Sequence, residues 1–110
     1  MMSEHIKKIR FKYPREPGSN GREKMKLRLF VAGILQNSLR AIQNINHICE
    51  HHLKDNYELE IIDIYQQPDL AISEQIIAIP VMIVKYPLPE KRLIGDLSNT
   101  EKVLAVLNIK

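Results

Sequence analysis

Between Leu27 and Ile64 the spacing of apolar residues changes twice, and that change restricts the fold more than any other feature of the chain. Leu27, Leu29 and Val31 alternate with Arg28 and Phe30, which is the period of a strand. Gly33 ends the run. From Ser38 to Leu53, the residues Leu39, Ile42, Ile45, Cys49 and Leu53 recur at helical spacing and share one face. Asp55-Asn56 marks a turn, and Glu58 to Ile64 reads as a second strand. Strand, helix and strand within about forty residues make a βαβ unit. Its strands run parallel and its crossover is right-handed.

The second half is patterned less sharply. Ile76 to Val84 is one apolar run whose first part continues a helix from Asp69, while its second part is β-branched and reads as a strand. Pro80 divides the two, because the residue before a proline is pushed out of helical geometry. Tyr86-Pro87-Leu88-Pro89-Glu90 is a turn region, and Arg92 to Ile94 is a returning strand. Gly95-Asp96 makes a turn, with Asp96 bonding its own backbone. Ser98 or Asn99 can then cap a helix from Asn99 to Leu107. Its apolar face carries Val103, Leu104 and Leu107. The total, β-α-β-α-β-β-α, is an α/β protein in thioredoxin order.

The 110 residues set a single folded domain, 26–110, behind a leader, 1–25. The leader holds seven Lys or Arg against three Glu, a net of +4, while the remainder holds nine against ten, a net of −1. The basic balance therefore belongs to the leader, which speaks against nucleic-acid binding by the domain. Pro14, Pro17, Gly18, Ser19, Asn20 and Gly21 mark the leader as disordered linker. Ile6, Ile9 and Phe11 among Lys7, Lys8, Arg10 and Lys12 form at most a small basic patch. Translation starting at Met25 is a further reading. No stretch approaches the roughly 20 apolar residues of a membrane span, and no signal-peptide pattern follows the N-terminus. The expectation is a cytoplasmic protein.

Catalytic chemistry is not legible. At the start of the first helix, where a thioredoxin enzyme carries two thiols, the residues are Leu35-Gln36-Asn37-Ser38, so dithiol exchange has neither nucleophile nor resolving group. Pro80 stands where that fold places a structural cis-proline. The one cysteine, Cys49, falls on the apolar helix face and reads as a small core residue. His47 and His51 share a helix face with Arg40 and Asn44 opposite the apolar stripe, and His52 flanks it. No further ligand at suitable spacing completes a metal site. Asp63 and Asp96 end strands. No cofactor motif is present.

Several segments resemble, in register, the KaiB family of circadian-clock proteins: Leu27-Arg28-Leu29-Phe30-Val31-Ala32-Gly33, Asn37-Ser38-Leu39-Arg40-Ala41, Glu60-Ile61-Ile62-Asp63, Gln67-Pro68-Asp69-Leu70-Ala71, Ala78-Ile79-Pro80 and Arg92-Leu93-Ile94-Gly95-Asp96-Leu97-Ser98-Asn99. The resemblance covers Lys26 to Ile109. It implies a regulatory protein, not an enzyme, that binds the hexameric ATPase KaiC or a KaiC-like relative. It also implies one of two folds: a monomeric thioredoxin-like state, or a homotetrameric (or dimeric) ground state with a rewired second half. Arg40, Lys85 and Arg92 match basic family positions that contact the ring. Gly95 and Asp96 match a turn that biases the choice of fold. If the strain of that turn belongs to the ground state, Gly95→Ala should favour binding. The family's usual lysine before Ile-x-Ala-x-Pro is Gln75 here, a departure. Relatives outside clocks are tied to stress responses or sensor histidine kinases. Two rivals are a stand-alone sensor-kinase-type thioredoxin-like binding module and a degenerate thioredoxin enzyme.

Because the leader offers little to bury, deleting residues 1–24 is expected to leave thermal stability nearly unchanged. A loss above about 2 kcal/mol in a melting experiment would show that the leader packs onto the domain.

Overall fold

The computed structural model describes residues 24–109, so the leader assigned to 1–25 lies outside the described residues except for Lys24 and Met25. The chain forms β1 (Met25–Val31), α1 (Gln36–His52), β2 (Tyr57–Asp63), α2 (Pro68–Ser73), β3 (Val81–Tyr86), β4 (Lys91–Ile94) and α3 (Thr100–Val106). The four strands make one sheet in the order β2-β1-β3-β4. β1 runs parallel to β2 and antiparallel to β3, and β3 runs antiparallel to β4. This is the thioredoxin-like arrangement, with the second half not rewired.

Strand alternation sorts the side chains between two faces. Leu27, Leu29, Val31, Leu59, Ile61, Met82 and Val84 meet Ala41, Ile45, Ile48 and Cys49 of α1 and Val103 and Leu107 in and after α3. Phe30, Ile62, Val81 and Ile83 face the other way, where Leu70 of α2 and Ile76 and Ile79 of the segment behind it cover them. β1 is thus buried from both sides. The α1 stripe is centred on Ala41, Ile45, Ile48 and Cys49, with Leu39, Ile42 and Leu53 only partly buried.

The expected continuation of the helix from Asp69 into Ile76 does not occur. α2 stops at Ser73, with Gln75 at φ +57°. Gln75 N–H bonds the carbonyl of Ile72 at 3.0 Å and Ile76 N–H bonds that of Ala71 at 2.9 Å, the paired closure of a left-handed C-terminal cap. The same closure ends α3, where Asn108 has φ +64°. At its start Asn99 Oδ1 accepts from Lys102 N–H at 3.2 Å, as the sequence predicts.

α1 begins two residues earlier than expected and has no side-chain cap at Leu35. Ser38 instead lies wholly buried inside the first turn, its Oγ accepting from Ala32 N–H at 3.1 Å. The bond ties the helix to the end of β1. Ser38→Ala removes the acceptor and leaves a buried N–H, which is expected to cost about 1–3 kcal/mol. Urea denaturation reads this directly, and a midpoint equal to that of wild type would show that the bond contributes nothing.

Candidate functional site

The basic residues singled out in the sequence fall into two groups. Arg40 stands on the exposed side of α1, where its Nε donates to Asp96 Oδ2 at 3.2 Å. One turn on, Asn44 Nδ2 donates to the Asp96 carbonyl at 2.8 Å. Asp96 Oδ1 accepts from Ser98 N–H at 3.0 Å, the local turn bond its sequence context predicts. Gly95 N–H donates to the carbonyl of Pro80 at 2.9 Å, and the Ile79–Pro80 peptide is cis. Four of the predicted positions, Arg40, Pro80, Gly95 and Asp96, therefore form one connected set. The hydrogen bonds from Ser98 and the Arg40 guanidinium hold the Asp96 carboxyl below its ordinary range.

Gly95 has φ +121° with no other atom near the place of a Cβ. The strain an alanine would meet there exists in the thioredoxin-like state itself. The direction in which Gly95→Ala shifts the balance is set by the difference in strain between the two folds.

The second group gathers Lys85 and Arg92 around two carboxylates. Arg28, Ile83 and Arg92 follow one another in register across β1, β3 and β4, and Glu60 extends the row onto β2. Glu74, from the end of α2, lies over this row with its side chain only 14% exposed. It accepts from Arg28 at 2.8 Å and from Lys85 at 3.1 and 3.2 Å, while Arg92 lies 3.7 Å away. Arg92 also donates to the carbonyls of Glu74 at 2.7 Å and Gln75 at 3.4 Å. Arg92 therefore holds the fold as well as facing solvent. Glu90, on the loop between β3 and β4, accepts from Lys85 at 3.1 Å and Arg92 at 3.4 Å.

Burial alone would lower the Lys85 pKa, but the hydrogen bonds from its ammonium to Glu74 and Glu90 outweigh this and raise it. The Lys85 hydrogen bond likewise holds Glu90 below its ordinary value.

Sequence reasoning missed Arg28, Glu74 and Glu90. Only Arg28 had a local signal, a cation between the buried Leu27 and Leu29 of a strand.

Leu35 is exposed and Ser38 buried, with no thiol at either place. Cys49 is fully buried in the α1 core. His47 and His51 stack with ring centroids 4.1 Å apart, and His51 Nδ1 lies 3.0 Å from the His47 carbonyl. Among the described residues no group of three or more His, Cys, Asp or Glu is placed to hold a metal ion, and no helix is long and apolar enough to cross a membrane.

The KaiB domain profile matches residues 28–109. The chain belongs to the KaiB family. It is 48% identical over 83 residues to the circadian clock protein KaiB3 of Synechocystis sp., covering 76% of this chain and 81% of that protein. To the circadian clock oscillator protein KaiB of Thermosynechococcus vestitus it is 45% identical, over 76% of this chain and 77% of the relative. In structure it is similar to the N-terminal domain of Synechococcus elongatus SasA, with a TM-score of 0.65 and 20% identity over 87% and 93% of the two chains. A thioredoxin from Fasciola hepatica matches with a TM-score of 0.66 and 14% identity over 81% and 84%. At such identities these structural likenesses speak for the fold alone. The KaiB-family fold here is the thioredoxin-like one.

The charge pairs add a pH dependence to stability. Glu90 and Asp96, with lowered values, contribute stability that is present above the ordinary carboxylate range and lost as pH falls through their folded values. Lys85, with a raised value, contributes below its ordinary 10.5, and the contribution is lost as pH rises through the folded value. Urea midpoints measured against pH should show both limbs, and Lys85→Met should flatten the alkaline one. An alkaline limb unchanged in Lys85→Met would contradict the pairing.

Proposed function

We propose that this KaiB-family chain is a non-enzymatic, cytoplasmic regulatory protein that docks on a KaiC-like hexameric ATPase, in a clock-like or stress-response signalling system. The family match over residues 28–109 carries the reading. Two features support it. The redox positions of the fold are filled by Leu35 and Ser38, so the thioredoxin-like frame has no dithiol. Arg40, Lys85 and Arg92 also present cationic side chains, which suit an acidic protein face. The ground state in this proposal is a self-associated form, a tetramer or dimer.

A stand-alone module of the sensor-kinase type is the second reading, favoured by the similarity to the SasA N-terminal domain. At 20% identity that likeness rests on fold, whereas the KaiB relatives match at 45–48%. Binding of a KaiC-like ring serves both readings, since one fold presents the surface.

The test is a titration of labelled protein with a purified KaiC-like ATPase from the same organism, in the presence of ATP. Wild type should bind. Arg92→Ala should weaken binding, with a melting curve run beside it because Arg92 also bonds the Glu74 carbonyl. Gly95→Ala places a side chain at φ +121°, at roughly 1–3 kcal/mol of strain. Where that strain exceeds the strain in the other fold, the competent fraction falls and the apparent dissociation constant rises in proportion. Absence of binding by wild type would remove the ATPase assignment. Tighter binding by Gly95→Ala would place the strain of the turn in the other fold.

A further inference from the structure

Lys85 and Arg92 are each held by two carboxylates of different character. Glu74 lies beneath them, its side chain 14% exposed and also bonded to Arg28. Three cations and the end of α2 fix it in place. Glu90 comes from the exposed loop that joins β3 to β4, with its side chain 35% exposed. One Glu90 oxygen meets Lys85 Nζ at 3.1 Å and the other meets the Arg92 guanidinium at 3.4 Å. A single carboxylate thus spans two cations, one oxygen to each. An aspartate or glutamate on a partner would take the same position.

The charge count sharpens the point. In the ion pairs named here Arg28, Lys85 and Arg92 face Glu60, Glu74 and Glu90, so these six groups are formally neutral while Glu90 is in place. A neutral network exerts little pull on an acidic surface. With Glu90 swung aside, the network is left with a net positive charge, and the outward donors of Lys85 and Arg92 are open.

We propose that Glu90 is a specificity-determining residue of this surface, an in-chain carboxylate that occupies the place of a carboxylate on an acidic partner protein and must be displaced for docking. The inference rests on the reading that Lys85 and Arg92 face such a partner. Glu90 is suited to the task because it is exposed and, among the described residues, its carboxylate is tied to these two cations. Glu74 is not, because displacing it would free three cations and the end of α2. The lowered pKa of Glu90 agrees with a carboxylate that stays charged and paired at neutral pH.

Glu90→Gln keeps the shape of the side chain and removes its charge. Exposed pairs of this kind are individually weak, so apparent affinity for the acidic partner should rise by about three- to tenfold. Most of the gain should appear in the association rate, and the salt dependence should steepen, as expected for a charge at the rim of an interface.

The experiment uses the full chain, wild type and Glu90→Gln, titrated with the KaiC-like ATPase and ATP at several salt concentrations. A second arm follows the Lys85 and Arg92 side-chain signals by NMR during titration with a peptide of six glutamates. A third reads the Glu90 carboxyl titration in wild type and in Lys85→Met, which should return it towards its ordinary range. Tighter, more salt-sensitive binding of the variant to the ATPase supports the proposal. Equal affinities overturn it while leaving the ATPase reading intact. If neither protein binds the ATPase, the peptide arm decides. Saturation of the variant at lower peptide concentration keeps the gate and removes the ATPase, whereas identical titrations overturn the gate. A Glu90 titration unmoved by Lys85→Met also overturns it.

Discussion

Every layer of this protein is organised around the pairing of β1 on both of its edges. β2, from the same βαβ unit, lies along one edge in parallel, and β3, from the second half, lies along the other in antiparallel. Leu29 and Phe30 are both fully buried, one on each face of the sheet. The strand can be buried this way only if α1 and α3 cover one face and the α2 segment covers the other. The order of the elements then follows from hydrophobic burial on two sides of one strand. In the second half β3 is likewise paired on both edges and buried on both faces, whereas β4 is a four-residue edge strand and α2 has a single turn and a half.

Charge completes what burial leaves undone. The face under α2 is apolar at Phe30, Ile62, Val81 and Ile83, but the positions beyond, Arg28, Glu60, Lys85 and Arg92, are charged. Glu74 reconciles the two by laying a carboxylate across the cationic part of the sheet. A carboxylate this poorly exposed needs partners to offset lost hydration, and three cations supply them. The outlying Glu90 has no such burden. The difference between a sunken and an exposed carboxylate on the same cations separates a structural contact from an exchangeable one.

The parts of the fold that were legible in the sequence are those encoded locally. The changes of period around Ser38 and Glu58 placed β1, α1 and β2 to within a few residues, and Asn99 placed the start of α3. The end of α2 was not legible. It depends on Gln75 taking a left-handed conformation that glutamine does not favour, which the docking of Glu74 and the bonds from Arg92 to the Glu74 and Gln75 carbonyls hold in place. Those contacts join residues up to 46 positions apart, and no periodicity records them. The candidate site divides in the same way. Arg40, Lys85, Arg92, Gly95 and Asp96 were named from the family resemblance, while Glu74 and Glu90, one at the end of α2 and one on the β3–β4 loop, became visible only when the folded chain set them beside Lys85 and Arg92. Pro80 was placed by the fold order and meets Gly95 through a backbone bond that sequence does not disclose.

Ser38 shows how a fold can close a route behind it. In a dithiol enzyme of this fold the same position holds the second, resolving thiol. Here it is sealed from solvent, with its oxygen given over to the backbone of Ala32. Cysteines at Leu35 and Ser38 would put one sulfur at an exposed position and the other in the enclosed place of the Ser38 hydroxyl. The Ala32 N–H would then face a sulfur, a weak acceptor, so the exchange would loosen the join between the first strand and the first helix.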